Sequence, residues 1–242
     1  MTGLTNITDM ITAVGALGTA SFGLVDATKA FWGGVSRCGF SRIKSEIQPL
    51  FGKQASVKDK SIPLAFGSLL ETLRANWLNG TDLGDQKAIA KSLLKLRLSP
   101  TNCADYAAAT GVDATVLASI ATKLSTAVTL SPPEADAFGR FDLILTALLD
   151  EGYQRADQIY RNKAKILAGA FSVVIALFAG LELHAGVPLL GQQPASLAPY
   201  WWHSDMWAAF LIGLLATPLA PVAKDLTSAI VAGVKAVQSA GK

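Results

Sequence analysis

The hydrophobic positions recur at helical spacing nearly throughout the chain, and the alternation that a half-buried strand requires is scarce. Pro63 marks the first turn of a helix to about Asn79, with Leu64, Leu69, Leu70 and Leu73 toward a core and Asn79-Gly80 ending it. A second helix is expected from about Asp85 to Leu98, carrying Ile89, Leu93, Leu94 and Leu96 on or near one face. Thr101 or Asn102 caps a short helix to Ala109 that Gly111 closes, and Asp113 caps another from Ala114 to Leu130. Ser131-Pro132-Pro133-Glu134 is then a capping box, with Pro at the first helical position and Glu at the third. No strong stop follows it, so one helix is predicted from about 132 to about 184, roughly 80 Å long at ~1.5 Å per residue. About four shorter helices would rest against its first half. The polar stretch Phe51 to Ser61 (FGKQASVKDKS) is the best linker.

Three stretches lose the polar face altogether. Ile166 to Leu181 is uncharged, and with Glu182 to Ala185 it reaches the length of a membrane span. Met206 to Ala223 is a second uncharged run, with Pro218 and Pro221 near its end, where they would kink or unwind the helix. Tyr200, Trp201, Trp202 and Trp207 lead into it as an interfacial aromatic belt, so 166–223 reads as a transmembrane hairpin. Met10 to Val25 is the third stretch, rich in small residues. On it Gly15, Thr19 and Gly23 fall at i, i+4, i+8, a small-residue stripe that allows close helix packing.

Charge sharpens this picture. No Lys or Arg occurs from Met1 to Thr28 or from Ile166 to Ala223. The cations lie in 29–165, which holds 18 Lys+Arg against 13 Asp+Glu, and at Lys224, Lys235 and Lys242. Under the positive-inside rule this places the N-terminus outside, 29–165 in the cytoplasm, 183–206 outside and the C-terminus inside. The expected organisation is an N-terminal membrane helix (1–37), a helical cytoplasmic domain (38–165), the hairpin (166–223) and an amphipathic cytoplasmic tail (224–242). The fold class is all-α, an integral membrane protein with about three membrane helices and one long helix continuing from cytoplasm into membrane. Charged residues make up only 16% of the 242, net charge is +3 and mean hydropathy is +0.38, which argues against disorder and a nucleic-acid partner.

Candidate chemistry is sparse. Glu182, His184, His203 and Asp205 gather at the outer mouth of the hairpin, where two imidazoles and two carboxylates suit zinc or copper. Their spacing matches no ligand motif, and polar residues terminating two spans explain them as well. Cys38 and Cys103 are too few for a structural zinc site. Glu151 with Arg155, and Asp157 with Arg161, read as helix ion pairs. No P-loop, dinucleotide fingerprint, nucleophile elbow or zinc-protease motif is present, so an enzyme is not expected.

Asp150, Tyr153, Arg155, Tyr160, Arg161 and Lys163, running into the Ile166 span, resemble an uncharacterised family of bacterial inner-membrane proteins. Ala220, Pro221, Asp225 and Leu226 match that family's closing Ala-Pro-x-x-x-Asp-Leu element, although Val222, Ala223 and Lys224 replace its usual aromatics. The resemblance implies an N-terminal membrane helix, a helical cytoplasmic region, a C-terminal hairpin and a bacterial inner-membrane location, and it implies no activity. The expected function is a non-enzymatic structural or accessory role through helix-mediated assembly, with lipids and further copies or a larger membrane complex as partners and no cofactor. An oligomeric channel or transporter, and a metal- or cofactor-binding subunit, are the alternatives.

Overall fold

The computed structural model describes the backbone of residues 2–31, 33–52, 56–60, 64–185 and 200–220, and the side chains of these except 2–9 and 183–185. Every regular element among them is helical: α1 (Thr2–Ala27), α2 (Ser36–Ile47), α3 (Phe66–Leu78), α4 (Leu83–Arg97), α5 (Cys103–Thr110), α6 (Ala114–Ser125), α7 (Pro132–Ala185) and α8 (Ser204–Ala220). The chain divides into two compact units, Met1–Gly34 with Asn162–Lys242, and Val35–Arg161. They are called here units 1 and 2. Two helices, Met10–Ala30 and Pro132–Glu182, are long and apolar enough to cross a membrane; α8 is apolar but shorter within the described residues.

In unit 2 the helices start and stop where side chains satisfy their end groups. Asp82 accepts from Gly84 N at 2.7 Å and begins α4 slightly ahead of the expected Asp85. Asp113 accepts from Thr115 N and Val116 N and begins α6; the Thr115 hydroxyl, which also donates to it, and then these two amides hold its carboxyl below the usual range. Gly111, at φ +71°, closes α5 in the left-handed conformation that glycine adopts without a Cβ clash. α6 stops at Ser125 rather than at Leu130. Val128 N bonds back to Lys123 O at 2.9 Å across Ala127, whose φ of 55° ends the helix without a glycine.

The capping box forms, with a different division of labour from the one its sequence implies. Glu134 accepts from Ser131 N at 2.8 Å, the reciprocal half of the motif. Ser131 Oγ, however, donates to Glu134 Oε2 at 2.6 Å instead of accepting from the helix. Ser119 Oγ and Lys123 Nζ, both on α6, reach the same carboxylate at 2.7 and 2.6 Å. Glu134 therefore ties α6 to the start of α7, and its donors hold its carboxyl far below the ordinary value, Lys123 contributing most.

The core of unit 2 is made of large side chains. Ile43 and Ile47 of α2, Leu69 and Leu73 of α3, Leu94 of α4, Leu117 of α6, and Phe141, Leu145 and Tyr153 of α7 are each no more than 1% exposed. Five short helices, not about four, pack with the first part of α7, because α2 also belongs to the cluster. A Cβ on Gly39 of α2 would lie 2.7 Å from Ala156 O of α7, so only glycine permits that approach. Phe51 also corrects the expected linker: it is buried against Phe66 in the turn Gln48–Phe51, and the guanidinium of Arg97 stacks 4.0 Å above its ring.

One polar ladder crosses this core's edge. Lys87, Lys91 and Lys95 stand at i, i+4, i+8 on α4, and Asp142, Thr146 and Asp150 do so on α7. Lys87 pairs with Asp150 at 2.5 Å, Lys91 with Asp142 and Thr146, and Lys95 with Asp142 at 3.0 Å. The order is reversed between the helices, so they run antiparallel. The expected pairs Glu151–Arg155 and Asp157–Arg161 form at 2.7 and 2.6 Å.

Candidate functional site: a small-residue helix seam

Unit 1 brings together α1, the end of α7 from Asn162, and α8. Its inward positions are small. On α7 they recur every fourth residue: Ala164, Ala168, Ser172 and Ala176 are all buried. On α8 they are Ala209, Gly213, Ala216, Thr217 and Ala220; on α1, Gly15, Gly18, Ser21 and Val25. A Cβ on Gly213 would sit 2.5 Å from Val173 Cα, so the α7 and α8 backbones nearly touch there. A Cβ on Gly18 would run into Ala216 O and lie 2.7 Å from Ala220 Cβ, which makes the α1–α8 contact as close.

Polar groups in the seam satisfy one another. Ser172 Oγ lies 2.6 Å from Gly213 O, 3.0 Å from Gly169 O and 3.2 Å from Thr217 Oγ1. A hydroxyl has one proton, so Ser172 donates to one carbonyl at a time and accepts from Thr217. Such a bond between helices in an apolar medium is worth about 0.6–2 kcal/mol. At the far end Tyr200, 1% exposed, donates to Leu177 O at 3.0 Å. α8 continues through Pro218 to Ala220, so Pro218 does not end it; Pro221 lies outside the described residues.

Large apolar side chains point the other way. Ile166, Val174 and Phe178 on α7, and Trp207, Leu211, Leu214 and Leu215 on α8, are between 48% and 68% exposed. Two open grooves lie among the described residues of unit 1. One, of about 560 Å³, runs among α1, α7 and α8 from Met10 to Ile212 with Asp205 at its wall. The other, of about 960 Å³, is bounded by Phe22, Val173 and Leu214 with Lys165 at one edge.

The candidate residues separate in this arrangement. Gly15 is buried, but Thr19 and Gly23 are exposed, and a Cβ on Gly23 would meet nothing within 4 Å. The face of α1 packed within the chain runs through Gly15, Gly18, Ser21 and Val25. Gly18 and Gly23 are five residues apart, about 140° around the helix at ~3.6 residues per turn. Thr19 satisfies its hydroxyl on Gly15 O at 2.9 Å.

At the mouth of the expected hairpin, His203 Nδ1 lies 2.9 Å from Asp205 Oδ2 and 3.3 Å from Asp205 N. The same nitrogen cannot donate to the carboxylate and accept from the amide at once, so the two contacts are alternatives set by whether Nδ1 carries a hydrogen. Glu182 Oε2 is buried without a hydrogen-bond partner among the described residues, and the His184 side chain lies outside them. No group of three or more His, Cys, Asp or Glu among the described residues is placed to hold a metal. Cys38 is exposed; Cys103 is buried, its thiol donating to Ser99 O at 3.0 Å, and burial pushes its pKa up.

The fold therefore defines an all-helical protein in which two helices have the length and composition of membrane spans. No family model, curated protein or solved structure matches the chain.

Proposed function

We propose that this is a non-enzymatic, multi-pass protein of a bacterial inner membrane that works by helix-mediated assembly, with further copies of itself or with a larger membrane complex. The observation that carries this reading is the exposed face of α1. Gly23 and Thr19 form a shallow strip with open space above Gly23, while the face used within the chain lies elsewhere on the helix. Lipid tails are as apolar as leucine, so membrane helices are held together by close backbone packing rather than by hydrophobicity. A vacant small-residue strip suits that kind of contact. The charge distribution supports an external N-terminus and a cytoplasmic C-terminus, with 29–165 in the cytoplasm and membrane lipids around the exposed leucines.

Gly23→Leu tests the reading. Nothing within the chain opposes the new side chain, so thermal stability of the detergent-purified protein should hold while its complex on native gels becomes smaller. A complex of unchanged size would remove the assembly role from this face.

A further inference from the structure

Among the described residues of unit 2, the cations that make neither an ion pair nor a side-chain hydrogen bond lie together. Lys87, Lys91, Lys95 and Lys123 each pair with a carboxylate across helices, and Lys60 pairs with Glu71. Arg42, Arg140, Arg155 and Arg161 pair with acids four residues away on their own helices. Arg97 bonds Leu50 O and stacks on Phe51. Among the described residues of this unit, Arg37, Lys44, Lys58 and Arg74 make no ion pair and no side-chain hydrogen bond. Arg37, Lys44 and Arg74 line one concavity of about 380 Å³, and Lys58 neighbours Val57 on its wall.

That concavity is a built feature. Arg37, Ser41 and Lys44 stand at i, i+4, i+7 on α2, and Gly67, Glu71 and Arg74 at the same spacing on α3, so two helix faces confront each other. The loop before α3 forms the third side. Gly67 N donates to Asp59 O at 3.0 Å, and a Cβ on Gly67 would collide with the carbonyls of Val57 and Asp59. The Lys60–Glu71 pair fastens the same loop and neutralises the pocket's own carboxylate. Arg37, Lys44 and Arg74 remain as uncompensated positive charge, and gathered like charges repel unless an anion sits between them.

We propose that this concavity binds the phosphate group of an anionic ligand. Guanidinium groups match phosphate with paired donors, lysine adds a compact charge, and Ser41 supplies a hydroxyl. Phe40 and Leu70 give the pocket an apolar side for the carbon part of the ligand. A lipid headgroup and a soluble phosphate share this chemistry.

The test uses the full chain in a zwitterionic detergent, titrated with inorganic phosphate, short-chain phosphatidylglycerol or short-chain phosphatidylcholine while the thermal unfolding midpoint is followed. Phosphatidylglycerol should raise the midpoint and phosphatidylcholine should not. A rise with inorganic phosphate as well identifies the phosphate alone as sufficient, whereas a rise with phosphatidylglycerol only identifies a lipid headgroup. Lys44→Gln combined with Arg74→Gln should weaken the response at least tenfold, with an unchanged or higher midpoint before any probe is added. Arg140→Gln combined with Arg155→Gln removes the same charge elsewhere in unit 2 and should leave the response intact. No response to either anionic probe, an equal loss in the control pair, or an unweakened response in the first pair would overturn the proposal. The outcome is independent of Gly23 and of assembly.

Discussion

Leu73 and Leu214 are the same residue type on helices of one chain, and they sit oppositely. Leu73 is fully buried in unit 2, whereas Leu214 is 52% exposed in unit 1. The contrast runs through both units. Unit 2 buries Phe141, Tyr153, Ile43 and Leu94 and turns its lysine ladder outward, the radial order that water imposes. Unit 1 buries mainly alanine, glycine and serine and turns leucine, isoleucine, phenylalanine and tryptophan outward. Burial against water favours large apolar side chains inside; where the surroundings are themselves apolar that preference vanishes, and only close approach of backbones is left to select the interior. The radial order of unit 1 is the one that an apolar surrounding would select, and that of unit 2 the one that water selects.

The largest effect should separate the two interiors. Phe141→Ala opens a hole in unit 2 and should cost about 3–5 kcal/mol, read as faster hydrogen exchange across α3 to α6. Leu214→Ala removes a large side chain from the outside of unit 1 and should leave the exchange of α7 and α8 nearly unchanged. Comparable losses at both positions would mean that unit 1 also relies on burying its large residues.

Next in size is the opposite substitution. Gly213→Leu thrusts a side chain into the α7 backbone beside Val173 and should destabilise unit 1 by about 1–3 kcal/mol or more, seen as protease cleavage between α7 and α8. A fully resistant variant would mean that the close seam is not what holds the helices.

Much of unit 2 was legible because its signals are local. Asp113, Gly111 and Ser131-Pro132-Pro133-Glu134 act within a few residues of the backbone groups they satisfy, and the helices they delimit begin or end there. Long-range partners were not legible. The spacing of Lys87, Lys91 and Lys95 reads as an ordinary solvated face until Asp142 and Asp150 are brought opposite. Phe51 reads as linker because its partners Phe66 and Arg97 are distant in sequence. Which side of α1 packs within the chain was not legible for a related reason: a strict i, i+4 stripe drifts by about 40° per step around an α-helix, and small residues stand on both sides of it, Gly18 on one and Gly23 on the other.

The smallest effect concerns acid. Lys95 and Lys91 hydrogen-bond Asp142 and hold its carboxyl below the usual range, Lys95 contributing most. A depressed carboxyl contributes stability that is present above its unfolded value, about 3.9, and lost as pH falls through the folded value. Asp142→Asn should therefore lower the unfolding midpoint slightly at neutral pH and flatten the acid loss below about pH 4. An acid profile identical to wild type would remove the ladder from the account of unit 2.

The proposed membrane setting requires the exposed apolar residues of unit 1 to face lipid while those of unit 2 face water. Spin labels at Leu214 and at Leu143, which is 70% exposed on the unit 2 part of α7, test it in one comparison. Exposed Cys38 is first changed to serine, and buried Cys103 is left in place. In liposomes the label at position 214 should relax with oxygen and be shielded from a water-soluble nickel chelate, and the label at 143 should respond to the chelate. Equal access of the chelate to both labels would contradict the account.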